Sequence, residues 1–299
     1  MKATEIVPFD MAQADAACAE MIDRGFAAVR FPISQYIDPV VEGWLEFVDQ
    51  NSVLKELWTI QGELTDPTEG PDDGWIPRYG TPTEQNPKGT YDDKEFFHYR
   101  AYLAAELRRR KVKITSRQQR WLRHCAKLDE VCRRDLILPI YQGLDCVLPA
   151  RMKPEELPHF ARRWIPPGEQ DLWSVLRALH YRAARHWGQE LGKLHPDRNC
   201  VTLHLADGSP GCIIHDGDSE SLLTTRRDVV IFFAGRKAQL LTGGREIPHV
   251  KGNSKPVIKG GVIEALKHRI AVPENAIIGM ARWSLIYFAH CRMGELPVV

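Results

Sequence analysis

The chain has 299 residues, of which 43% are hydrophobic and 26% are charged, and its formal net charge is +1 at pH 7. This composition supports a substantial core and excludes intrinsic disorder, while the near-zero charge excludes a long-range attraction of the whole molecule to nucleic acid or anionic membranes. No apolar run approaches the roughly 20 residues that span a bilayer, and the N-terminus lacks a secretory signal. The seven scattered cysteines form no Cys-x-x-Cys pair, so we predict a cytoplasmic protein with reduced thiols.

The first half of the chain is predicted to be rich in helices. Residues 11–25 carry apolar side chains at helical spacing and stop at Gly25, and the alternation in 26–31 predicts a strand. Another helix is predicted over 38–50, and residues 94–150 have a helical pattern. The stretch 62–93 is rich in Pro, Gly, Asp and Thr, which predicts a long surface loop.

A basic segment runs from Arg100 to Arg134, with twelve Lys or Arg residues against three acidic ones. A solvated helical face is the preferred interpretation. The alternatives are a patch that attracts an acidic substrate or partner, and a helix that follows the phosphates of a nucleic acid. Binding to phosphates would weaken steeply with salt, and we do not expect nucleic acid as a partner.

The second half changes to short apolar runs separated by turn residues, which predicts strands. These runs are Leu176–Tyr181, Val201–Leu205, Cys212–Ile214, Val229–Phe233, Ala238–Leu241, Val262–Ala265, Ile277–Met280 and Trp283–Phe288. Eight strands at this spacing indicate a barrel or a double-sheet jelly roll. We predict a mostly β fold with flanking helices in one domain, 1–299, with an N-terminal helix-rich part (1–170) and a jelly-roll core (171–299).

Two histidines and one aspartate are candidate metal ligands. His195-Pro196-Asp197 is the only His-x-Asp or His-x-Glu triplet among the eleven histidines, and His268 begins a later His-Arg-Ile run. Two imidazoles and a carboxylate are the ligands of a facial-triad iron(II) site, which leaves positions open for oxygen and a co-substrate. Taken singly, His195-Pro196-Asp197 also fits a solvent-facing turn. His268 alone also fits a surface or core histidine beside an apolar run, with its hydrogen bonds made and no metal bound.

Arg282 and Ser284 are candidate ligands for a carboxylate. They lie two positions apart on a predicted strand and therefore point to the same face. A guanidinium and a hydroxyl can hold a carboxylate by charge-assisted hydrogen bonds. An inward-facing arginine is costly unless it is paired, and no acidic residue follows it closely in sequence. The alternative is an ion pair with an acid from a distant part of the chain.

In order along the chain, these motifs resemble the isopenicillin N synthase-like branch of the iron(II)/2-oxoglutarate-dependent oxygenases. The matching segments are Gly25-Phe26-Ala27-Ala28-Val29, Gly74-Trp75-Ile76-Pro77-Arg78-Tyr79-Gly80, Asp93-Lys94-Glu95-Phe96-Phe97, Leu176-Arg177-Ala178-Leu179-His180-Tyr181, His195-Pro196-Asp197, Val201-Thr202-Leu203, Pro210-Gly211, His268-Arg269-Ile270 and Arg282-Trp283-Ser284. Each motif alone is weak, whereas their order over most of the chain is specific.

The resemblance implies a double-stranded β-helix (jelly-roll) with Fe(II) held by His195, Asp197 and His268. It also implies 2-oxoglutarate as the co-substrate, with its distal carboxylate held by Arg282 and Ser284 and joined by Tyr181. The implied reaction consumes O2, releases succinate and CO2, and oxidises an unactivated C–H bond of a small molecule. Hydroxylation is preferred over desaturation or ring closure, and the carboxylate at position 197 argues against halogenation.

Several alternatives remain open at the level of sequence. His249 follows Thr242-Gly243-Gly244 more closely than His268 does and is a rival third ligand, although His268 is preferred for the Arg-Ile run that follows it. An isopenicillin N synthase-type oxidase that uses no 2-oxoglutarate is the second function, and a non-catalytic jelly-roll binding protein is the third. Candidate residues of the substrate pocket are Arg78, Tyr79, Trp173 and His180, with Trp173 preferred as core.

Overall fold

The computed structural model describes residues 6–60, 73–78, 94–166, 174–216, 219–247, 257–274 and 276–293. The helices of this part are α1 (Ala14–Arg24), α2 (Ser34–Val48), α3 (Ser52–Glu56), α4 (Leu103–Arg109), α5 (Ser116–Val131), α6 (Leu138–Val147) and α7 (Arg236–Leu241). The strands are β1 (Phe9–Asp10), β2 (Phe26–Arg30), β3 (Thr59–Ile60), β4 (Asp73–Arg78), β5 (Lys94–Tyr99), β6 (Val175–Tyr181), β7 (Glu190–Pro196), β8 (Val201–Asp207), β9 (Cys212–Asp216), β10 (Ser219–Leu223), β11 (Val229–Ala234), β12 (Arg245–Ile247), β13 (Val257–Lys259), β14 (Lys267–Ala271) and β15 (Arg282–Ala289).

Two sheets form the centre of the molecule. The major sheet has nine strands in the order β1-β2-β11-β8-β15-β6-β5-β4-β3, and the minor sheet has four in the order β10-β9-β14-β7. Apolar side chains from both sheets form one buried cluster, which includes Phe233 and Leu179 from the major sheet and Leu191 and Ile270 from the minor sheet. The sheets therefore face each other around a shared interior, and the predicted jelly-roll fold is confirmed.

Helices cover the opposite face of the major sheet. A second, larger core lies between the sheet and helices α1, α2, α5 and α6. Its centre is a group of aromatic rings, Trp44, Phe47, Trp58, Phe97 and Trp121, with centroid separations between 4.6 and 6.4 Å. The indole N–H of Trp44 donates to the carbonyl of Leu179 at 3.2 Å and ties helix α2 to strand β6.

The predicted helix over 11–25 is confirmed in position and in its end. Gly25 terminates α1 with a φ of +84°, and its N–H donates to the carbonyl of Met21. This left-handed conformation is easily adopted by glycine, which has no Cβ to collide with the backbone. Strand β2 begins at the next residue.

The N-terminal half is helix-rich but also contributes five strands, β1 to β5, to the major sheet. Residues 94–99 form strand β5, so the prediction of helical structure from 94 onward was wrong for this segment. Phe96 belongs to the core between the sheets and Phe97 to the core under the helices, as side chains alternate along a strand. We propose that 1–299 is a single domain, because both halves of the chain build the same sheet.

Three of the eight predicted strands were wrong. Residues 236–241 form helix α7, and Val262–Ala265 and Ile277–Met280 contain no strand. Short apolar runs do not distinguish a buried strand from a buried helical turn. The strand β7, which carries His195, was not predicted because its side chains are largely exposed. The predicted loop over 62–93 lies mostly outside the described residues, and 73–78 within it forms β4.

Within the described part of the chain, no helix combines the length and apolar character needed to cross a membrane. All seven cysteines lie within that part, and none of them forms a disulfide. The cytoplasmic location stays a prediction.

Candidate metal centre and carboxylate site

Strand pairing in the minor sheet brings the three candidate metal ligands together. His195 on β7 lies directly opposite His268 on β14, and Asp197 follows the end of β7. Nε2 of His195 lies 3.7 Å from Oδ1 of Asp197, and Nε2 of His268 lies 3.8 Å from the same oxygen. One donor atom from each residue falls within 4.8 Å of the other two. The fold thus gathers three residues that the sequence presents in two separate segments.

Backbone carbonyls orient both imidazoles. Nδ1 of His195 lies 2.5 Å from the carbonyl of Lys193, and Nδ1 of His268 lies 3.4 Å from the carbonyl of Leu266. A carbonyl oxygen only accepts, so Nδ1 must carry the proton in each contact. In the neutral ring the other nitrogen, Nε2, then carries the lone pair on the side of Asp197, which is the tautomer that a metal ligand requires.

The surroundings of Asp197 and His268 also suit a metal site. The hydroxyl of Thr202 donates to Oδ2 of Asp197 at 2.7 Å, which leaves Oδ1 directed toward the two imidazoles. Burial lowers the pKa of His268 to about 4, although the charge of Asp197 opposes this shift. His268 is therefore neutral at physiological pH and able to donate its lone pair.

The residues present fit an iron(II) ion. Two imidazoles and one carboxylate form a donor set with mixed nitrogen and oxygen ligands on one side of the ion. His195 is exposed, whereas Asp197 and His268 are buried. The site therefore has an accessible side from which further ligands can approach.

Arg282, Ser284 and Tyr181 meet on the major sheet, on the face toward the minor sheet. Arg282 pairs directly with Tyr181 of the neighbouring strand β6, and its guanidinium carbon lies 5.4 Å from the centre of the Tyr181 ring. Nη1 of Arg282 donates to the hydroxyl of Ser284 at 3.5 Å. The two residues of the Arg-x-Ser motif do lie on one face, and both are buried.

A distant acid pairs with Arg282. Nη2 donates to Oδ1 of Asp207, and Nε donates to the carbonyl of Ser209 at 3.0 Å. The ion pair that the sequence left as an alternative is therefore present, and Asp207 was missed because it lies 75 positions away. A guanidinium has five N–H groups. Among the described residues three of them have protein partners, so two remain for a ligand carboxylate.

His204 is a second residue that sequence reasoning missed. Its Nε2 lies 2.7 Å from Oδ2 of Asp207. Burial alone lowers the pKa of His204, but the charge of Asp207 and the hydrogen bond to it outweigh burial and raise the pKa to about 10. Burial likewise raises the pKa of Asp207, but Arg282 and His204 outweigh it and hold that pKa below its usual range.

Glycine at position 211 allows Arg282 to reach this position. A Cβ at Gly211 would lie 2.8 Å from Nε of Arg282 and 3.0 Å from the carbonyl oxygen of Ala271. Contacts this short force the arginine or the backbone to move. The Pro210-Gly211 motif therefore has a local physical reason: Arg282 of strand β15 lies too close to position 211 for a side chain there.

Other candidate residues fall elsewhere. His180 lies on the face of β6 opposite to Tyr181, since it is one residue away, and its Nδ1 is 3.5 Å from Oε1 of Glu95. His180 therefore does not face the metal centre. Tyr79, Trp173, the side chain of Arg78 and the rival ligand His249 lie outside the described residues.

Several cations of the basic segment pair with acids. Arg109 pairs with Glu106, Lys127 and Arg134 with Glu130, and Arg117 with Glu46 of helix α2. These pairs are largely exposed, as expected for a solvated helical face. They support the preferred interpretation of the segment.

No protein-family model matches the chain, and no curated protein matches it in sequence. Solved structures do match its fold. A full-length Neurospora crassa protein crystallised with alpha-KG matches with a TM-score of 0.63 and 15% identity, over 96% of this chain and 85% of that one. JOX2, crystallised with 2OG, Fe and JA, matches with a TM-score of 0.61 and 17% identity, over 99% and 77%.

The Arabidopsis thaliana dioxygenase for auxin oxidation 1, in a binary complex with 2-oxoglutarate, matches with a TM-score of 0.59 and 12% identity, over 98% of this chain and 95% of that one. At these identities the similarity concerns the fold. The chain therefore has the fold of the 2-oxoglutarate and iron(II) oxygenases, as its resemblance to their isopenicillin N synthase-like branch predicted.

Proposed function

We propose that this protein is an iron(II)/2-oxoglutarate-dependent oxygenase that oxidises an unactivated C–H bond of a small molecule. The observation that carries the proposal is the convergence of His195, Asp197 and His268, with donor atoms within 4.8 Å of one another. The oxygenase fold and the 2-oxoglutarate found in the matching structures support it. Bound iron(II) and 2-oxoglutarate would use O2 to release succinate and CO2 and to oxidise the C–H bond.

In this proposal His195, Asp197 and His268 hold the iron ion. The hydrogen bonds from Nδ1 of the two histidines fix the rings, and Thr202 fixes the carboxylate of Asp197. Ligands that are held in place before the metal arrives lose little conformational freedom on binding. Three protein ligands leave coordination positions for the co-substrate and oxygen.

The distal carboxylate of 2-oxoglutarate is assigned to Arg282 and Ser284, with Tyr181 beside them. The two remaining N–H groups of Arg282 supply charge-assisted hydrogen bonds, and the Ser284 hydroxyl adds a third donor. Burial of the site excludes water, so these hydrogen bonds discriminate strongly against a co-substrate without a distal carboxylate.

Hydroxylation is the preferred outcome, since the same oxidising chemistry serves hydroxylation, desaturation and ring closure. The matching structures contain different small molecules, such as thymine in one and JA in another. We propose a small-molecule substrate on that basis. We also propose a cytoplasmic location, from the seven scattered free cysteines, and no nucleic acid partner, from the net charge of only +1.

Succinate production tests the proposal without knowledge of the substrate. The protein is incubated in air with iron(II) and 2-oxoglutarate, and succinate is quantified by mass spectrometry. We expect slow succinate formation that His195→Ala abolishes, with His124→Ala on helix α5 as the matched control. If iron binds and no succinate forms with any candidate substrate, the oxidase that draws all electrons from its substrate replaces this proposal.

A further inference from the structure

Three ionisable side chains form a continuous chain in the interior between the sheets. Asp207 accepts from Nη2 of Arg282 through Oδ1, and its Oδ2 lies 2.7 Å from Nε2 of His204. The three side chains are at most 5% exposed. Because bulk water does not screen charges at such depth, the total charge of the three groups matters for any anion that binds beside them.

The pairing of Arg282 with Asp207 leaves no net charge for a ligand. A guanidinium and a carboxylate in direct contact form a neutral pair, and a neutral pair attracts a further carboxylate far less than a lone cation does. The assignment of Arg282 as the carboxylate anchor therefore needs another positive charge nearby. In the described residues His204 is in direct contact with this pair and can carry that charge.

The geometry favours a protonated His204. Nε2 donates to Oδ2 of Asp207 in the neutral Nε2–H tautomer as well as in the protonated ring, but only the protonated ring gives each carboxylate oxygen a cationic donor. A buried carboxylate is stabilised when each oxygen has such a partner. The Asp207 carboxylate and the Cys212 side chain of strand β9 both favour the charged ring.

We propose that His204 is a positioning residue for the co-substrate: it offsets the charge of Asp207, so that the Arg282 site keeps a net positive charge and selects 2-oxo acids that carry a distal carboxylate. This inference rests on the proposed function. It concerns co-substrate choice, and it assigns no contact between His204 and the reacting atoms.

Calorimetric titration of the iron(II)-loaded protein in the absence of oxygen tests the inference. Two probes are compared, 2-oxoglutarate and 2-oxopentanoate, which share the 2-oxo acid group and differ in the distal carboxylate. We expect the wild-type protein to prefer 2-oxoglutarate and His204→Gln to lose about tenfold of that preference, equivalent to about 1.4 kcal/mol. The affinity for 2-oxopentanoate should not change, which shows that the variant is folded.

A double variant separates charge from shape. In His204→Gln/Asp207→Asn the acid is removed together with the imidazole, while the amide oxygen introduced at position 207 can still accept from Arg282. The Arg282 charge is then no longer offset, so the preference for 2-oxoglutarate should recover toward the wild-type value. His124→Gln on helix α5 is the control for loss of an imidazole elsewhere.

Either of two results would overturn the inference. One is a His204→Gln variant that keeps the wild-type preference, and the other is a double variant that prefers 2-oxoglutarate as weakly as the single one. A wild-type protein that binds iron(II) but neither 2-oxo acid would instead overturn the proposed function, and with it the role of His204.

Discussion

The two faces of the major sheet differ in what they bury. Toward the helices the sheet contributes Phe97 to a group of large aromatic rings that includes Trp44 of α2 and Trp121 of α5. Toward the minor sheet the same strands bury Arg282, Asp207 and His204 among apolar neighbours. The alternation of side chains along each strand allows both arrangements in one sheet. The face toward the helices contributes mainly to folding stability. The face toward the minor sheet also holds polar groups at fixed positions, and their burial costs free energy.

Buried charges also occur on the helix side, where, as for Arg282 and Asp207, they are matched within the protein. Lys55 and Glu95 lie 2.7 Å apart, and the indole N–H of Trp75 donates to the same Glu95 oxygen. On the metal side, by contrast, two imidazoles and a carboxylate converge at 3.7 to 3.8 Å, which is too long for hydrogen bonds among them. Such an arrangement is expected where a cation completes the site.

The largest effect is expected on the metal side, for His268→Ala. Removal of one of three ligands should weaken iron(II) affinity by more than about 100-fold, since loss of a mere supporting hydrogen bond already costs 10- to 100-fold. The thermal unfolding temperature of the metal-free protein should change little or rise, because a buried polar ring is removed. Metal titration and calorimetry on the same sample check both expectations. Unchanged iron affinity would contradict the assignment and favour His249.

Phe97→Ala should have the opposite effect to His268→Ala: it should lower folding stability and leave iron affinity unchanged. Phe97 contacts Trp44, Phe47, Trp58 and Trp121 and is 1% exposed. Truncation of such a ring should lower the free energy of unfolding by about 3–5 kcal/mol. The iron affinity of the folded variant should stay near the wild-type value. Denaturant unfolding and metal titration below the transition measure the two quantities, and a selective loss of iron affinity would break the distinction between the faces.

The pH dependence of stability sharpens the comparison. The pKa of His204 rises from 6.5 in its ordinary state to about 10 in the folded protein, so the folded state binds the additional proton between these values. The stabilisation is complete below pH 6.5 and is lost as pH rises toward 10. One pKa unit corresponds to about 1.4 kcal/mol, so the metal-free wild-type protein should lose at least that much more stability than His204→Gln from pH 6.5 to pH 9.5. If the curves of stability against pH are parallel for the wild-type protein and His204→Gln, His204 is neutral in the folded state.

The smallest effect is expected for Thr202→Val, which removes the hydroxyl that donates to Asp197 and keeps the shape of the side chain. Iron affinity should fall by about tenfold, as for other groups that orient a metal ligand. Activity with a fixed excess of iron should recover most of the loss. A fall as large as that of His268→Ala would mean that Thr202 does more than orient Asp197.

Much of the site was predictable because its motifs are local in sequence. The pair His195 and Asp197 and the pair Arg282 and Ser284 were candidates from their spacing, and the order of the motifs along the chain made them specific. Arg282 and Ser284 lie on β15, where a strand was predicted, whereas His195 lies on β7, which was not predicted. The Asp207 pairing was not predictable from local sequence, because strands β8 and β15 are distant along the chain and their register brings the two residues together. His204 was missed because it lies within the apolar run Val201–Leu205, although its partner Asp207 is only three positions away.

The fold was predicted at the level of its class rather than element by element. The run Ala238–Leu241 reads as a strand because it is short and apolar, but it forms helix α7 after Gly235. Strand β5 contains Phe96 and Phe97 side by side, which hides its alternation because each residue is buried in a different core. Residues buried on both faces of a sheet give no period of two.

The most direct test of the central claim is the visible spectrum of the iron(II)-loaded protein, recorded without oxygen before and after addition of 2-oxoglutarate. We predict a weak charge-transfer band when both are bound, and its loss in His195→Ala. Iron binding without such a band would contradict the use of 2-oxoglutarate and favour the oxidase. Absence of iron binding would contradict the metal centre itself and leave a jelly-roll binding protein.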